Sequence, residues 1–351
     1  MGERRRARSR SGFRRYRRFR GARRGVVAVV GTLLALLVFF ALFGVFLTQY
    51  VPLWMTQNEA ALSNQVQTSL ATLKSGVDDQ YLIGGIPTYS VPFTLSSQSV
   101  PLLTQPTVAS MSYIAGCPGG FYSNGTPREI SACDFQALTY TTGTGPAGSQ
   151  NHPYSQLLTT DYLEVVLPDR YYVALSYIFE SDGIAQAQDS SHQTMLVAPP
   201  VNVSVSSSGA VSVQSSLLAL VGPSAAYSGQ GSKDVTSSSL SASGVNSTGR
   251  FVTSAGVARK FNVTMTFGVH EVCAWYNYLY NMTYAALGAS SATTWTLTGV
   301  GTSGTLTLPP SSSVCALAVT STYDLTLKVF GVTSAAAFVA QSQLTFNAGG
   351  L

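Results

Sequence analysis

The sequence predicts one long apolar N-terminal helix followed by a mainly β, antiparallel and sandwich-like body with one inserted helix. Three observations carry that reading. Val26 to Leu47 is a twenty-two-residue apolar run, and no charged residue occurs from Gly25 to Asn58. From Tyr89 onward, short runs of alternating apolar and polar residues are separated by Ser-, Gly- and Asn-rich turns. One stretch, Val269–Leu287, breaks that alternation and repeats Val272, Tyr276, Leu279 and Thr283 at helical steps.

Charge divides the chain at the start of the apolar run. The net charge over all 351 residues is +5. Residues 1–24 hold twelve arginines and one acid, Glu3, for +11. The remaining residues hold eight Lys/Arg and fourteen Asp/Glu, for −6. The body is therefore mildly acidic and has no basic face to follow a phosphate backbone, which argues against a nucleic-acid partner. Arginines abutting an apolar span stay on the cytoplasmic side and attract anionic head groups, so they predict an N-terminus inside and a body outside.

A helix of twenty-two residues rises about 33 Å, enough to cross a hydrocarbon core of about 30 Å. Tyr50 and Trp54 follow where an interfacial aromatic belt is expected. A secretory signal has a shorter apolar region and a small-x-small cleavage site, and TQYVPLWMTQN (residues 48–58) offers none. The expected partner is a lipid bilayer, crossed once, with the body at the cell surface. Beyond Pro52, which is expected to kink the join, Leu62, Val66, Leu70, Leu73, Val77 and Tyr81 are spaced 4, 4, 3, 4 and 4 residues apart. That stripe predicts an amphipathic helical stalk. It serves equally for packing on the chain's own domain or for a subunit interface. The segments expected are a basic leader over 1–25, a transmembrane helix over 26–51, the stalk over 52–83 and a β-rich domain over 84–351. Pro223–Gly249, rich in Ser, Gly and Ala, is expected to be a flexible protruding loop.

The stretch Arg24-Gly25-Val26-Val27-Ala28-Val29-Val30-Gly31-Thr32-Leu33-Leu34 resembles the N-terminus of archaeal type IV pilin-like proteins with a class III signal. The resemblance implies a prepilin-type peptidase that cuts after Gly25 and leaves Val26 as the mature N-terminus, with pilus or surface-layer components as partners and self-association through the helix. Three further stretches are similar to archaeal surface proteins with such anchors: Phe46–Met55, Pro101–Pro106 and Leu167–Tyr172. Val30 stands where many bacterial pilins carry a glutamate that helps subunits register; archaeal pilins often lack it. At 351 residues the chain is large for a major pilin.

Cys117, Cys133, Cys273 and Cys315 all fall on the side expected to be outside, and an even count there suggests two disulfides. Three pairings are open; the sequential one, Cys117–Cys133 with Cys273–Cys315, closes the shortest loops. No C-x-x-C pair or Cys/His cluster marks a zinc site, so no metal or cofactor is expected. Asn124, Asn202, Asn246, Asn262 and Asn281 each open an N-x-S/T sequon in the expected ectodomain. Asn262 and Asn281 would have to face solvent from a strand and a helix.

No catalytic pattern emerges. His270-Glu271 lacks a second histidine four residues after the first, and no G-x-S-x-G elbow, P-loop or dinucleotide-binding glycine pattern occurs. Asp161, Glu164 and Asp169, or Glu180 and Asp182, are acids close enough in sequence to pair, but surface acids and an Asp182-Gly183 turn are the simpler reading. Asp78-Asp79 reads as solvated. The Tyr-rich segment with Trp275, Tyr276, Tyr278, Tyr280 and Tyr284 reads first as a helix packed on a sheet and second as a sugar-stacking surface. The expectation is a non-enzymatic structural or adhesive surface protein. The alternative is an uncleaved single-pass module that binds a sugar or protein and does not polymerise.

Overall fold

A computed structural model describes residues 18–82, 88–99, 104–115, 134–141, 150–151, 154–189, 192–246, 251–252, 260–288, 293–299, 306–307 and 323–347. The chain divides into two compact units, Met1–Thr56 and Gln57–Leu351.

The first unit is helical. Helix α1 spans Arg18–Val45, a π-helical turn follows over Phe46–Tyr50, and α2 begins at Val51 and runs to Leu82. The π turn stands where the sequence predicts a proline kink. Val51 N–H donates to the carbonyl of Phe46, five residues back. Pro52 has no N–H, and its ring would crowd the carbonyl four residues before it in a regular α-helix. Widening the preceding turn by one residue accommodates both. Hydroxyls in this unit bond to their own helix: Thr32 Oγ1 donates to Val29 O at 2.9 Å, Thr48 Oγ1 to Gly44 O at 2.9 Å and Thr56 Oγ1 to Pro52 O at 2.9 Å. Such internal satisfaction is what an apolar surrounding demands.

The second unit is mainly β. Its strands are β1 (Tyr89–Thr94), β2 (Ser110–Ile114), β3 (Asp134–Thr141), β4 (Gln150–Asn151), β5 (Tyr154–Thr160), β6 (Tyr162–Leu167), β7 (Leu175–Glu180), β8 (Gly183–Ala187) and β9 (Gln193–Val197). They continue as β10 (Val201–Val205), β11 (Val211–Val221), β12 (Ala225–Ser228), β13 (Ser232–Asn246), β14 (Phe251–Val252) and β15 (Phe261–Val269). Helix α3 (Val272–Leu287) precedes β16 (Thr293–Gly299), β17 (Leu306–Thr307) and β18 (Tyr323–Asn347). A ten-stranded sheet has the path β1-β13-β18-β15-β3-β5, with β11 and β16 also on β18, β10 on β11 and β17 on β16. A six-stranded sheet has the order β12-β2-β6-β7-β8-β9, and β14 pairs with β4.

Strand β18, with 25 residues, organises the larger sheet. Its first part pairs antiparallel with β15 and β16, and its second part with β13. Its pairing with β11 is parallel, so the sheet is mixed where the sequence predicts antiparallel structure. The expected loop over 223–249 is also corrected. It forms β12 and β13, and β13 is a central strand between β1 and β18. Its serines are small enough to lie on a packed face: Ser237 is fully buried and exchanges hydrogen bonds with Gln80 of α2, Gln80 Nε2 donating to Ser237 O at 2.9 Å and Ser237 Oγ to Gln80 Oε1 at 3.2 Å.

Among the described residues two apolar clusters fill the unit. One joins α3 to the larger sheet through Trp275, Tyr276 and Leu279 against Phe267, Val263 and Leu327. The other holds Leu62, Val66, Leu70, Leu73 and Val77 of α2 with side chains from both large sheets, such as Phe93, Met111, Leu163 and Leu344. The stripe expected as a stalk is therefore a core element of the β unit. Each of its five aliphatic residues is 0 or 1% exposed, worth about 1.5–3 kcal/mol apiece in burial. Gly76 lets the ring of Tyr89 lie directly on the helix; a Cβ there would collide with that ring.

Candidate functional site

Three arrangements stand out, and each begins from a residue type in an unusual place.

The first is α1. From Val26 onward it is apolar all round, and its large side chains stay uncovered: Leu33, Leu37 and Leu42 are 63%, 67% and 67% exposed. An eighteen-residue window reaches a mean hydropathy of 2.7 with none of it buried. Among the described residues this is the one helix long and apolar enough to cross a membrane. Aromatic rings line one side of it, Phe39 on Phe43 at 5.9 Å, Phe43 on Phe46 at 6.5 Å, and Phe46 against Tyr50 and Trp54 at 6.0 and 5.7 Å. Exposed apolar surface of this extent marks a partner or a lipid phase outside the chain.

The second is the β7–β8 turn, built from charge and buried. Glu180 and Gly183 close a two-residue hairpin, and Ser181 and Asp182 have φ of 48° and 62°. Positive φ at both central positions gives the strand twist its preferred hairpin turn, though neither residue is glycine. Asp182 lies in the turn expected of it, but Glu180, Ser181 and Asp182 are 0–1% exposed, which corrects the reading of Glu180 as a surface acid. Asp182 Oδ1 accepts from Lys74 Nζ at 2.9 Å, and Lys74 also reaches Asp78 Oδ2 at 2.9 Å. Tyr81 O–H lies between Asp78 and Asp182. Asp78 is thus paired, not solvated; Asp79 is exposed. Burial works against the Lys74 charge, but Asp182 and Asp78 outweigh it and hold the ammonium above its ordinary value. Burial pushes the Asp182 carboxyl up, with Lys74 opposing.

On the other side of the turn, Glu180 anchors the start of α3. It accepts from the backbone N–H groups of His270 at 2.9 Å and Glu271 at 3.3 Å, and from Trp275 Nε1 at 2.8 Å. A carboxylate at a helix N-terminus satisfies free donors and opposes the helix dipole. Burial, and then the charge of Glu180, push Glu271 up to about 7, with His270 opposing. His270 lies 3.5 Å from Glu180 and packs at a tilt against the ring of Tyr162, centroids 4.2 Å apart.

The third is Glu59. The segment Arg170-Tyr171-Tyr172 points three consecutive N–H groups at its carboxylate, at 3.2, 2.7 and 2.7 Å, and Thr107 adds a hydroxyl. Burial would raise Glu59, but these four donors hold it below its ordinary value. Among the described residues, Asp169 beside it has no hydrogen-bond partner on either carboxylate oxygen; burial, and then the Glu59 charge, push it up to about 7. Asp161 is buried too and accepts from Tyr113 O–H at 2.5 Å.

These clusters hold charge inside the fold. Among the described residues no group of three His, Cys, Asp or Glu is placed to hold a metal ion. Lys74, Glu59 and Glu180 were legible as charges but not as buried ones, because burial is decided by which elements close over them.

Of the residues expected from sequence, Arg24, Gly25 and Val26 fall within α1. Cys273 is buried on α3 and disulfide-bonded, while Cys117, Cys133 and Cys315 lie outside the described residues. Asn202 and Asn281 are exposed and Asn262 is half-buried. Asn246 ends β13, and Asn124 lies outside the described residues. On α3, Trp275 and Tyr276 are buried, Tyr278 O–H bonds Val201 O at 3.1 Å, and Tyr284 is 52% exposed, so the helix is mostly packing. Compared with protein-family models, curated proteins and solved structures, the chain matches none.

Proposed function

We propose that the chain is a membrane-anchored cell-surface protein of structural or adhesive role, pilin-like at its N-terminus and not an enzyme. Its α1 lies in lipid or against copies of itself, and its sandwich-like β unit acts outside the cell. The observation that carries this is the uncovered apolar helix, eighteen residues of mean hydropathy 2.7 with none buried. The Arg24-Gly25-Val26 resemblance adds a prepilin-type peptidase. The α2 stripe is spent inside the β unit, so self-association falls to α1.

Mass spectrometry of the membrane-extracted protein tests the processing step. A mature chain beginning at Val26 supports it; an intact arginine leader overturns it. Electron microscopy of sheared surface fibres then tests filament formation. One observation favours a second reading, an uncleaved single-pass binding module: α1 is helical from Arg18 through Gly25 and onward, and a peptidase needs that backbone opened. Carbonate extraction separates both readings from a soluble protein. Full-length chain stays with the membrane, and a Gln57–Leu351 fragment is released.

A further inference from the structure

A cavity of about 640 Å³ opens beside the C-terminal end of α2, over the larger sheet where β11, β18 and β13 run side by side. The register explains why there is room. Phe338 of β18 faces Ser216 of β11 on one flank and Gly244 of β13 on the other. In the next row Ala336 stands beside Gln214. Small residues thus surround one aromatic side chain, and a Cβ built on Gly244 would meet nothing within 4 Å. Tyr81 packs tilted against Phe338, ring centroids 5.4 Å apart, and forms the aromatic wall.

The polar groups are few and point to one chemistry. Ser216 is 8% exposed, lines the cavity, and its Oγ has no hydrogen-bond partner among the described residues. A buried hydroxyl without a partner is costly unless something completes it. Asp78 lines the same cavity, and its side chain keeps 30% of its exposure. Behind it one ammonium, Lys74, faces two carboxylates, Asp78 and Asp182. Among the described residues no lysine, arginine or histidine lines the cavity. The balance favours a donor or a cation and disfavours an anion. A volume of this size suits a small organic molecule.

We propose that this cavity binds a small organic amine, its apolar body lying over Ala336 and Gly244 against Phe338 and its ammonium donating to Asp78. Ser216 Oγ accepts a second donor, and the Tyr81 and Phe338 rings offer a cation-friendly face.

Three water-soluble probes of one shape test this on the full chain in nanodiscs, with empty nanodiscs to subtract partitioning: phenethylamine, 2-phenylethanol and phenylacetate. Isothermal titration should give saturable binding in the order amine, alcohol, acid, with the amine about tenfold tighter than the alcohol, as a charge-assisted hydrogen bond implies. Gly244→Leu should fill the space and weaken the amine at least tenfold, with an unchanged far-UV spectrum because the site is open. Asp78→Asn should bring amine and alcohol to parity. Equal affinity of Gly244→Leu and the unaltered protein would overturn the proposal, as would phenylacetate binding as tightly as the amine or no saturable binding of any probe. If Asp78→Asn fails to fold, the amine-over-alcohol preference of the unaltered protein decides the charge claim alone, and its absence overturns it.

Discussion

Helix α1 and the part of α2 beyond Gln57 are both long apolar-bearing helices, yet they spend their side chains in opposite ways. In α1 leucines occur on every side and remain more than half exposed. In residues 57–82 apolar residues occupy one stripe, and that stripe is sealed in a core built from two sheets. Polar residues differ likewise. In the first unit the hydroxyls of Thr32, Thr48 and Thr56 turn back on their own helix; beyond Gln57 those of Thr68 and Thr72 do the same, but Gln80, Ser63 and Lys74 bond to strands and a turn more than a hundred residues away. More apolar surface goes with less burial, so the medium that α1 suits lies outside this chain.

The sharpest way to break this comparison is charge. Lys74→Met leaves the Asp182 carboxylate buried with no cation, and removing one partner of a buried pair costs about 3–5 kcal/mol. Chemical denaturation of the β unit should show that loss, and adding Asp182→Asn should restore a large part of it. If Lys74→Met alone is neutral, the network does not hold α2 in place.

Next comes a paired truncation. Leu70→Ala removes a side chain with no exposure and should cost about 2–5 kcal/mol in the unfolding of the β unit. Leu36→Ala removes one that is 53% exposed and should leave that unfolding unchanged. A measurable loss from Leu36→Ala would place α1 inside the cooperative unit.

pH separates the regions again, because Arg24 and Glu59 bound a stretch whose one ionisable side chain is Tyr50. Glu271 has its folded-state value raised from 4.5 to about 7. The native state therefore binds the proton more tightly than the unfolded chain. The stabilisation is complete below about pH 4.5, declines as pH rises toward 7 and is gone above it. Glu271→Gln should be nearly neutral at pH 4 and more stable than the unaltered protein by about 3 kcal/mol at pH 8, read by urea denaturation at the two pH values. An equal effect at both would place the cause in packing.

The large pattern was readable because it depends on local composition. Twenty-two apolar residues need no tertiary context to be recognised, and Val201 and Val203 alternate with exposed Asn202 as expected. β13 was hidden because serine fits a buried or an exposed position equally, so Ser232–Asn246 shows no period of two. The second half of β18, with Ala335-Ala336-Ala337, was hidden for the same reason. The parallel β11–β18 pairing is set by chain topology and leaves no mark on either strand. The buried clusters were the least legible: Asp182 beside Gly183 signals a turn, and nothing adjacent in sequence tells that Lys74, 108 residues away, will meet it.

That turn gives the smallest and most discriminating effect. Ser181 holds a φ of 48° without being glycine, and its hydroxyl is buried without a hydrogen-bond partner. Left-handed backbone costs a residue with a Cβ about 1 kcal/mol, and an unpaired buried hydroxyl adds to that. Ser181→Gly removes both penalties at the expense of more freedom in the unfolded chain, so a net gain of about 0.5–1 kcal/mol is expected. The gain should disappear in the Lys74→Met background if Asp182 no longer holds the turn in its left-handed form. A gain of equal size in both backgrounds would show that the hairpin sets its own conformation and that α2 merely packs on it. Thermal denaturation of the four proteins in the resulting cycle decides between a turn imposed by its buried ion pair and one intrinsic to the strands.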